Sequence, residues 1–469
     1  MCRVLGAGQA ARMITALDTV TVAGPVDLPL AGELDVQAAC GIMHVHGRSL
    51  GEPTRLGLDY ASILAAELSA LGAVSLKLAR GRGIPLRGVS TSLAQAALLA
   101  ISQYLAAATT EDEHREPFVP GGPPFHSADG VAFEIETLEP AVWQRFWTTL
   151  EVDTRAISSG WHPFLHRFAT ATCPLPPRLW EALAARPIGE LERVALLTGM
   201  TLVRMAKEPL DRAPAFVVSG EGRGYRPVRA VEPLPLSGLV VLESCRRVQG
   251  PLAGHLLRLL GATVLRIEPP GGDPLRWVPP IAGHTSARFR ALNDGKEVVE
   301  IDLNTPDGRR HLLELAAGAD VFLHNWAPGK AERWSLSALD LARARPGILY
   351  AHASGWGTEL GPEPPVGTDF VVQAYAGVPP SLMTIVDVFG GIVCAHGIVT
   401  GLAQGATRVA SSLLSAAYRL NAGAGRRCDR LLSVPVCDDL SALAADPRFS
   451  RALIQADCAL VASPWEFTS

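Results

Sequence analysis

Three short strings occur twice in this chain, in the same order, and that repetition restricts the fold more than any single motif does. Val36-Gln37-Ala38-Ala39-Cys40-Gly41 returns as Val372-Gln373-Ala374-Tyr375-Ala376-Gly377, Leu58-Asp59 returns as Val386-Asp387, and Ser92-Leu93-Ala94-Gln95-Ala96-Ala97 returns as Ser412-Leu413-Leu414-Ser415-Ala416-Ala417. Order is kept while two intervening stretches shorten, as a partial duplication requires. A chain of 469 residues carrying such a repeat exceeds one ordinary core, so two or three domains are expected.

The clearest patterning begins at Leu236. Leu239 to Glu243 is an apolar run of strand length. Leu252, Leu256, Leu259 and Leu260 then fall on one helical face until Gly261, and Thr263 to Glu268 forms the next strand. A second unit follows, with Val298 to Leu303 as strand and Thr305-Pro306-Asp307 as cap, first-turn proline and dipole-favoured acid of a helix reaching Ala317. Further strands are expected at 320–324 and 348–353. Such βαβ units predict an α/β fold with a doubly wound, mostly parallel sheet. The alternating segment Asp129 to Glu136 and the helical Ala141 to Leu150 predict a smaller α+β domain. The expected layout is a helical region over 1–110, the small domain over 111–219 and a Gly/Arg/Pro-rich linker over 220–235. The large domain follows over 236–430, with a tail over 431–469 packing on it.

Composition narrows the partners. With 48% hydrophobic and 19% charged residues and a net charge of -4, the chain is neither disordered nor a polyanion binder, so nucleic acid is not expected. The eight cysteines are scattered, with no CxxC and no zinc-finger spacing to histidine. No metal site is expected, and a reducing cytoplasm fits. No run approaches the roughly 18 apolar residues of a membrane span, and the first residues lack the order of a signal peptide. Gly6-Ala7-Gly8-Gln9-Ala10-Ala11 imitates a dinucleotide fingerprint, but too few residues precede it to form the strand such a motif follows.

The run from Pro235 to Arg276 resembles the opening of the class III CoA-transferases of the CaiB/BaiF type, a family that includes formyl-CoA transferase, carnitine CoA-transferase and α-methylacyl-CoA racemase. The resemblance continues in the family's order through Ala291 to Lys296, Ile301 to Gly308, His324 to Gly329, Ser354 to Gly357 and Asp369 to Gly377. Val36 to Ala97 is similar to the family's mid-chain helices, Pro124 to Gly130 to the entry of its small domain, and Gly199 to Val203 to the return from it. The chain thus resembles a back half followed by a front half, a truncated tandem or permuted member of a family that forms interlocked dimers. That implies a monomeric pseudo-dimer or a homodimer. Coenzyme A or acyl-CoA is the implied substrate, with a small carboxylic acid.

By motif match the resemblance implies a Rossmann-like CoA-binding domain. Val248, Gln249, Ile301, Asn325, Trp326 and Arg333 would line its site: amide and backbone bonds, a stacking ring and a phosphate partner. Asn304 and Ser354 replace two basic positions of some relatives, which leaves Arg266 or Lys296 as alternative phosphate partners. A transferase needs a carboxylate nucleophile that attacks the thioester and forms a mixed anhydride. Leu50 stands in that residue's place in one copy and the loop is missing in the other, with Glu52 two residues away. Racemase-like members exchange an α-proton instead, and Asp59, Asp387 and Glu139 match their carboxylates. The histidine of that pair is replaced by Thr368 or Gly32, flanked by Asp369 and Glu33, with His44 or His46 as substitutes. Helix capping is an equal reading for Asp59 and Asp387. CoA transfer, α-proton chemistry and a catalytically reduced CoA-binding protein all stay open.

Overall fold

The computed structural model describes residues 20–111, 116–210, 214–221, 234–423 and 433–469, so the Gly6 to Ala11 string and most of the expected linker lie outside the described residues. The first copy of the repeat runs through β1 (Val20–Thr21), α1 (Glu33–Ala39), α2 (Ile42–Gly47), α3 (Tyr60–Gly81), β2 (Gly88–Ser92), α4 (Leu93–Ala100) and α5 (Ser102–Ala108). A smaller unit follows: β3 (Phe125–His126), β4 (Ala132–Glu136), α6 (Pro140–Thr149), α7 (Thr154–Thr170), α8 (Pro177–Ala184), α9 (Ile188–Thr198) and β5 (Thr201–Arg204), then β6 (Phe216–Ser219).

The front-half segment supplies β7 (Val240–Ser244), α10 (Gln249–Leu259), β8 (Thr263–Glu268), β9 (Ile281–Ala282), β10 (Thr285–Ser286), α11 (Ala287–Asn293) and β11 (Glu297–Glu300). It continues as α12 (Pro306–Ala316), β12 (Val321–His324), α13 (Lys330–Arg333), α14 (Ala338–Ala344) and β13 (Leu349–Ser354). The second copy is α15 (Asp369–Ala376), α16 (Ile385–Gln404), β14 (Arg408–Ser412) and α17 (Leu413–Ala422), and the chain ends with α18 (Leu440–Ala445), β15 (Leu453–Gln455), β16 (Ala459–Val461) and β17 (Glu466–Thr468).

Seven strands form one sheet in the order β11-β8-β7-β12-β13-β14-β6, parallel throughout except for the antiparallel edge strand β6. Successive strand residues point to opposite faces. Val241, Val264 and Leu323 accordingly join the core built with Leu252 and Leu256 of α10 and Ile392 of α16. Leu242, Ile267 and Phe322 join a second core with Leu312 of α12 and Leu341 of α14. Both faces are thus covered, which is why the strands read as continuous apolar runs. The Thr305 cap and first-turn Pro306 stand where the sequence put them, with the Thr305 hydroxyl accepting from the Gly308 amide at 3.1 Å.

The duplication is visible as matched backbone bonding. Ser92 and Ser412 each end a strand and cap the next helix, accepting from the Gln95 amide at 3.1 Å and the Ser415 amide at 3.0 Å. β2 lies between parallel β1 and antiparallel β17, as β14 lies between parallel β13 and antiparallel β6. The closing strands are exchanged. β6, which follows the first copy and was placed in the small domain from sequence, completes the second copy's sheet, while β17 returns from the chain's end to the first copy. The tail likewise packs on α5 as well as on α11. α3 and α16 are long and apolar enough to cross a bilayer by composition, and both are largely buried within the protein. They lie against each other, with Tyr60 Oη donating to the Ile385 carbonyl at 2.7 Å and Glu67 meeting His396 Nδ1 at 2.6 Å.

A charge cluster lies inside the large sheet. Arg266 is 1% exposed and is bound by Glu243, by Glu268 at 3.1 Å and by Asp273 at 2.5 Å. Lys296 meets Glu243 at 2.8 Å. Every cation here is paired, which is the condition for keeping charge in a parallel sheet. Replacing Glu243 by Ala leaves buried Lys296 without its carboxylate and takes one of three carboxylates from Arg266, so denaturant unfolding is expected to show a loss of about 3–5 kcal/mol.

Candidate functional site

The short connection between α15 and α16 sets one carboxylate under the first turn of the next helix. Asp369 Oδ2 accepts from the Asp387 amide at 2.6 Å, and its other oxygen accepts from Gln373 Nε2. Gln373 in turn fixes the connection, donating to the Ser381 carbonyl at 3.0 Å and accepting from the Ser381 amide at 2.9 Å. The first copy repeats this device with Glu33, which accepts from the Ala61 amide at 3.0 Å, the Ser62 amide at 2.7 Å and hydroxyl at 2.6 Å, and Gln37 Nε2 at 2.8 Å. In helix position the counterpart of Asp387 is therefore Ser62. Asp59 is the cap residue of α3, makes no side-chain cap bond and pairs with Arg55 at 3.2 Å. The first copy thus holds one carboxylate here, fully hydrogen-bonded; the second holds two.

Asp387 opens on a cleft that also presents Asp369, Glu136, Thr368, Arg247 and Phe168. Among the described residues its carboxyl accepts no hydrogen bond. Glu136 arrives from the end of β4 and is fixed by Arg167 Nη2 at 3.0 Å and Thr368 Oγ1 at 2.5 Å. Arg167 lies 3.8 Å from the Phe164 ring centre and 4.6 Å from that of Phe370. Arg247 has a left-handed backbone (φ 64) that a residue with a side chain adopts only when its surroundings enforce it, and its guanidinium sits 5.2 Å from the Phe168 ring centre.

Burial pushes the Asp387 carboxyl up to about 7, with Arg247 opposing the rise and Glu136 adding to it. Asp369 is held well above the usual carboxylate range by burial and by the Asp387 charge. The two titrate as a pair.

The other expected site residues are dispersed around this point. Glu139 is exposed at the cap of α6, three residues from Glu136, and Glu52 is exposed in the loop where Leu50 is 51% exposed. His46 donates or accepts at Ser381 Oγ at 2.8 Å and His44 packs edge-on to Phe118; burial lowers both to about 4. Neither lines the cleft.

Val248 and Gln249 are buried at the start of α10, and among the described residues Gln249 Nε2 has no hydrogen-bond partner. Asn325 ties the loops after β7 and β12 together, accepting from the Arg246 amide at 3.0 Å and donating to its carbonyl at 2.7 Å. Trp326 is packed among Phe322, His324 and Trp334, its indole donating to Ser244 Oγ at 3.1 Å; its ring is enclosed rather than open for stacking. Ile301 belongs to the second core.

Arg266 and Lys296, the alternative phosphate partners, are consumed in the internal charge cluster. The cations at the ends of β7 and β12 are instead the exposed Arg333 and Arg246 and the half-buried Lys330, which is lowered by burial and by those two charges. Sequence reasoning missed Arg246, Arg247, Glu136, Arg167 and Lys330. Two of them directly precede Val248, which the family resemblance singles out with Gln249. Among the described residues no group of three or more His, Cys, Asp or Glu gathers at metal-binding distance.

The profile of CoA-transferase family III matches residues 22–197 and 236–433, the two segments that flank the expected linker. The chain belongs to this family. Family members it matches include succinyl-CoA:glutarate CoA-transferase of Homo sapiens, 33% identical over 52% of this chain and 56% of that protein. Another is acetyl-CoA:oxalate CoA-transferase of Acetobacter aceti, 33% identical over 36% of this chain and 46% of that protein. A solved CaiB/BaiF family protein from Brucella suis aligns at 28% identity with a TM-score of 0.37, over 39% of this chain and 55% of its own. The chain spans about half the length of the curated relatives it matches.

A raised carboxyl makes folding pH-dependent in a fixed direction. Between the ordinary value of 3.8 and about 7 the folded chain keeps a proton on Asp387 that the unfolded chain has lost, so this residue's contribution to stability falls as pH rises through that window. Asp387→Asn removes the effect. The variant is expected to gain on the native protein, on the order of 1–3 kcal/mol between pH 4 and pH 7.5 in parallel urea titrations.

Proposed function

We propose that the protein is an acyl-CoA-processing enzyme working at one site, the Asp387 cleft, and that it transfers CoA between carboxylic acids. The observation that carries this is the Asp387 carboxyl, which among the described residues has no hydrogen-bond partner and which shares its cleft with Arg247. Strand order supports where CoA lies. The order reverses between β7 and β12, the switch point at which doubly wound, Rossmann-like sheets take nucleotides. Arg246, Lys330 and Arg333 stand there as partners for CoA phosphates.

In this reading the ionised Asp387 attacks the thioester carbonyl and expels CoA thiolate, leaving an acyl-aspartyl anhydride. The thiolate then attacks the Asp387 carbonyl, which releases the first acid and leaves CoA on the enzyme for the incoming carboxylate. Arg247 orients these carboxylates, and Thr368 and Arg167 hold Glu136 in place beside them. The reciprocal exchange of β6 and β17 supports a single chain doing what relatives assemble from two. The cytoplasm remains the expected location.

A second reading is favoured by the value of about 7 on Asp387, which suits a general base removing the α-proton of an acyl-CoA near neutrality. The two separate cleanly. Incubation with acyl-CoA and hydroxylamine is expected to convert Asp387 to a hydroxamate detected by peptide mass spectrometry, and Asp387→Asn to lower turnover about a thousandfold. Deuterium entering the α-carbon in D2O without any hydroxamate favours the second reading. Neither signal, with CoA still bound, contradicts both.

A further inference from the structure

The apolar wall of the Asp387 cleft has a closed end. Leu138, Leu165, Phe168 and Phe370 form it, and they differ in depth: Leu138 is 40% exposed, whereas Phe370 is 6% exposed. Phe370 stands in the first turn of α15, next to Asp369 of the clamp. Its ring is packed at 4.6 Å by Arg167, which is itself held by the Phe164 carbonyl at 2.6 Å and by Glu136 at 3.0 Å. An acyl chain that starts at Asp387 and runs inward along this wall therefore ends on a fixed ring.

Behind the ring lies a second pocket that the chemistry above does not use, and Phe370 lines that one too. Gln373 and Ala374 follow Phe370 at the three- and four-residue spacings that share a helix face, and Met205 and Leu382 add apolar surface. The ionisable group of this pocket is Glu134, which is 6% exposed. Among the described residues its carboxyl accepts only from the Ile135 amide, at 3.2 Å, and it lies 3.9 Å from Arg167, whose own ion pair is with Glu136. Burial raises Glu134 to about 8, with Arg167 opposing the rise and Glu136 adding to it, so the group is uncharged at neutral pH. Such a pocket suits methylenes. A second carboxylate entering it would be buried beside an acid, with the neighbouring guanidinium already spent on Glu136.

We propose that Phe370 is the specificity-determining residue of the Asp387 cleft: its ring is the wall between the acyl subsite and the pocket behind, and it sets the length of acyl chain the site accepts. The inference rests on the acyl-CoA reading above, and on neither of its two chemistries in particular. The native protein takes short acyl groups. Removing the ring joins the two spaces and admits longer uncharged chains, but not chains that end in a carboxylate.

Calorimetric titration of the full chain with three unreactive thioethers, S-ethyl-CoA, S-hexyl-CoA and S-(5-carboxypentyl)-CoA, tests this without turnover. The native protein is expected to bind S-ethyl-CoA at least as tightly as S-hexyl-CoA. Phe370→Ala is expected to tighten S-hexyl-CoA about tenfold relative to S-ethyl-CoA, because further methylenes leave water, and to give the carboxylate-ended chain no such gain. Phe370→Leu, which keeps an apolar side chain in the helix turn, is expected to shift the ratio less and in the same direction. Adding Ala374→Leu to Phe370→Ala is expected to cancel the gain by refilling the space. A ratio of S-hexyl-CoA to S-ethyl-CoA affinity that neither Phe370 variant changes overturns the inference while leaving CoA binding intact. An equal gain for the carboxylate-ended chain overturns the exclusion of charge. Native protein that binds none of the three defeats the acyl-CoA reading itself.

Discussion

Asp369 cannot leave the first turn of α16 without stranding the amides of a helix whose length is mostly buried. The same bond fixes where Asp387 points, because Asp387 itself supplies one of those amides. Through Gln373 the clamp also sets the α15–α16 connection, and through Thr368, one residue earlier, it reaches Glu136 of the small unit. A single buried carboxylate thus joins the large sheet, the pseudo-symmetric helix pair and the cleft. The corresponding Glu33 in the first copy spends its bonds on the first turn of α3 and on Gln37 of its own helix.

That asymmetry supports the proposal that the chain carries a duplicated segment and a single working site. The first copy has the helices, the capping serine and the clamp, but among the described residues its sheet holds β1, β2 and the borrowed β17. The second has a full seven-stranded sheet and the small unit against α15. Exchange of β6 and β17 makes the two halves interdependent, so neither sheet closes without a strand from the other part of the chain.

Much of this was legible in the sequence. The βαβ spacing, the Thr305-Pro306-Asp307 helix start and the repeat all appear as read, because period, capping chemistry and duplication are local properties. Asp369 and Asp387 were also singled out, and they come together. What sequence matching mistook was register: Leu58-Asp59 aligns with Val386-Asp387 by letters, yet Asp59 precedes its helix and Asp387 lies inside its own. Burial was equally hidden. Arg266 and Lys296 read as candidate phosphate partners, but three acids gather around Arg266 only after β7 and β8 pair. Arg247 escaped notice because its role follows from a backbone angle, and Glu136 because its importance arises from Arg167 and Thr368, which are distant in sequence.

The central claim is that one of two related positions does the work. Its most direct measurement is the number of acyl-CoA molecules bound per chain, read by isothermal titration with an unreactive CoA thioether. The account predicts one per chain, with affinity reduced when Arg246 and Arg333 are replaced by Met. Two equivalent sites per chain, or none, would contradict it.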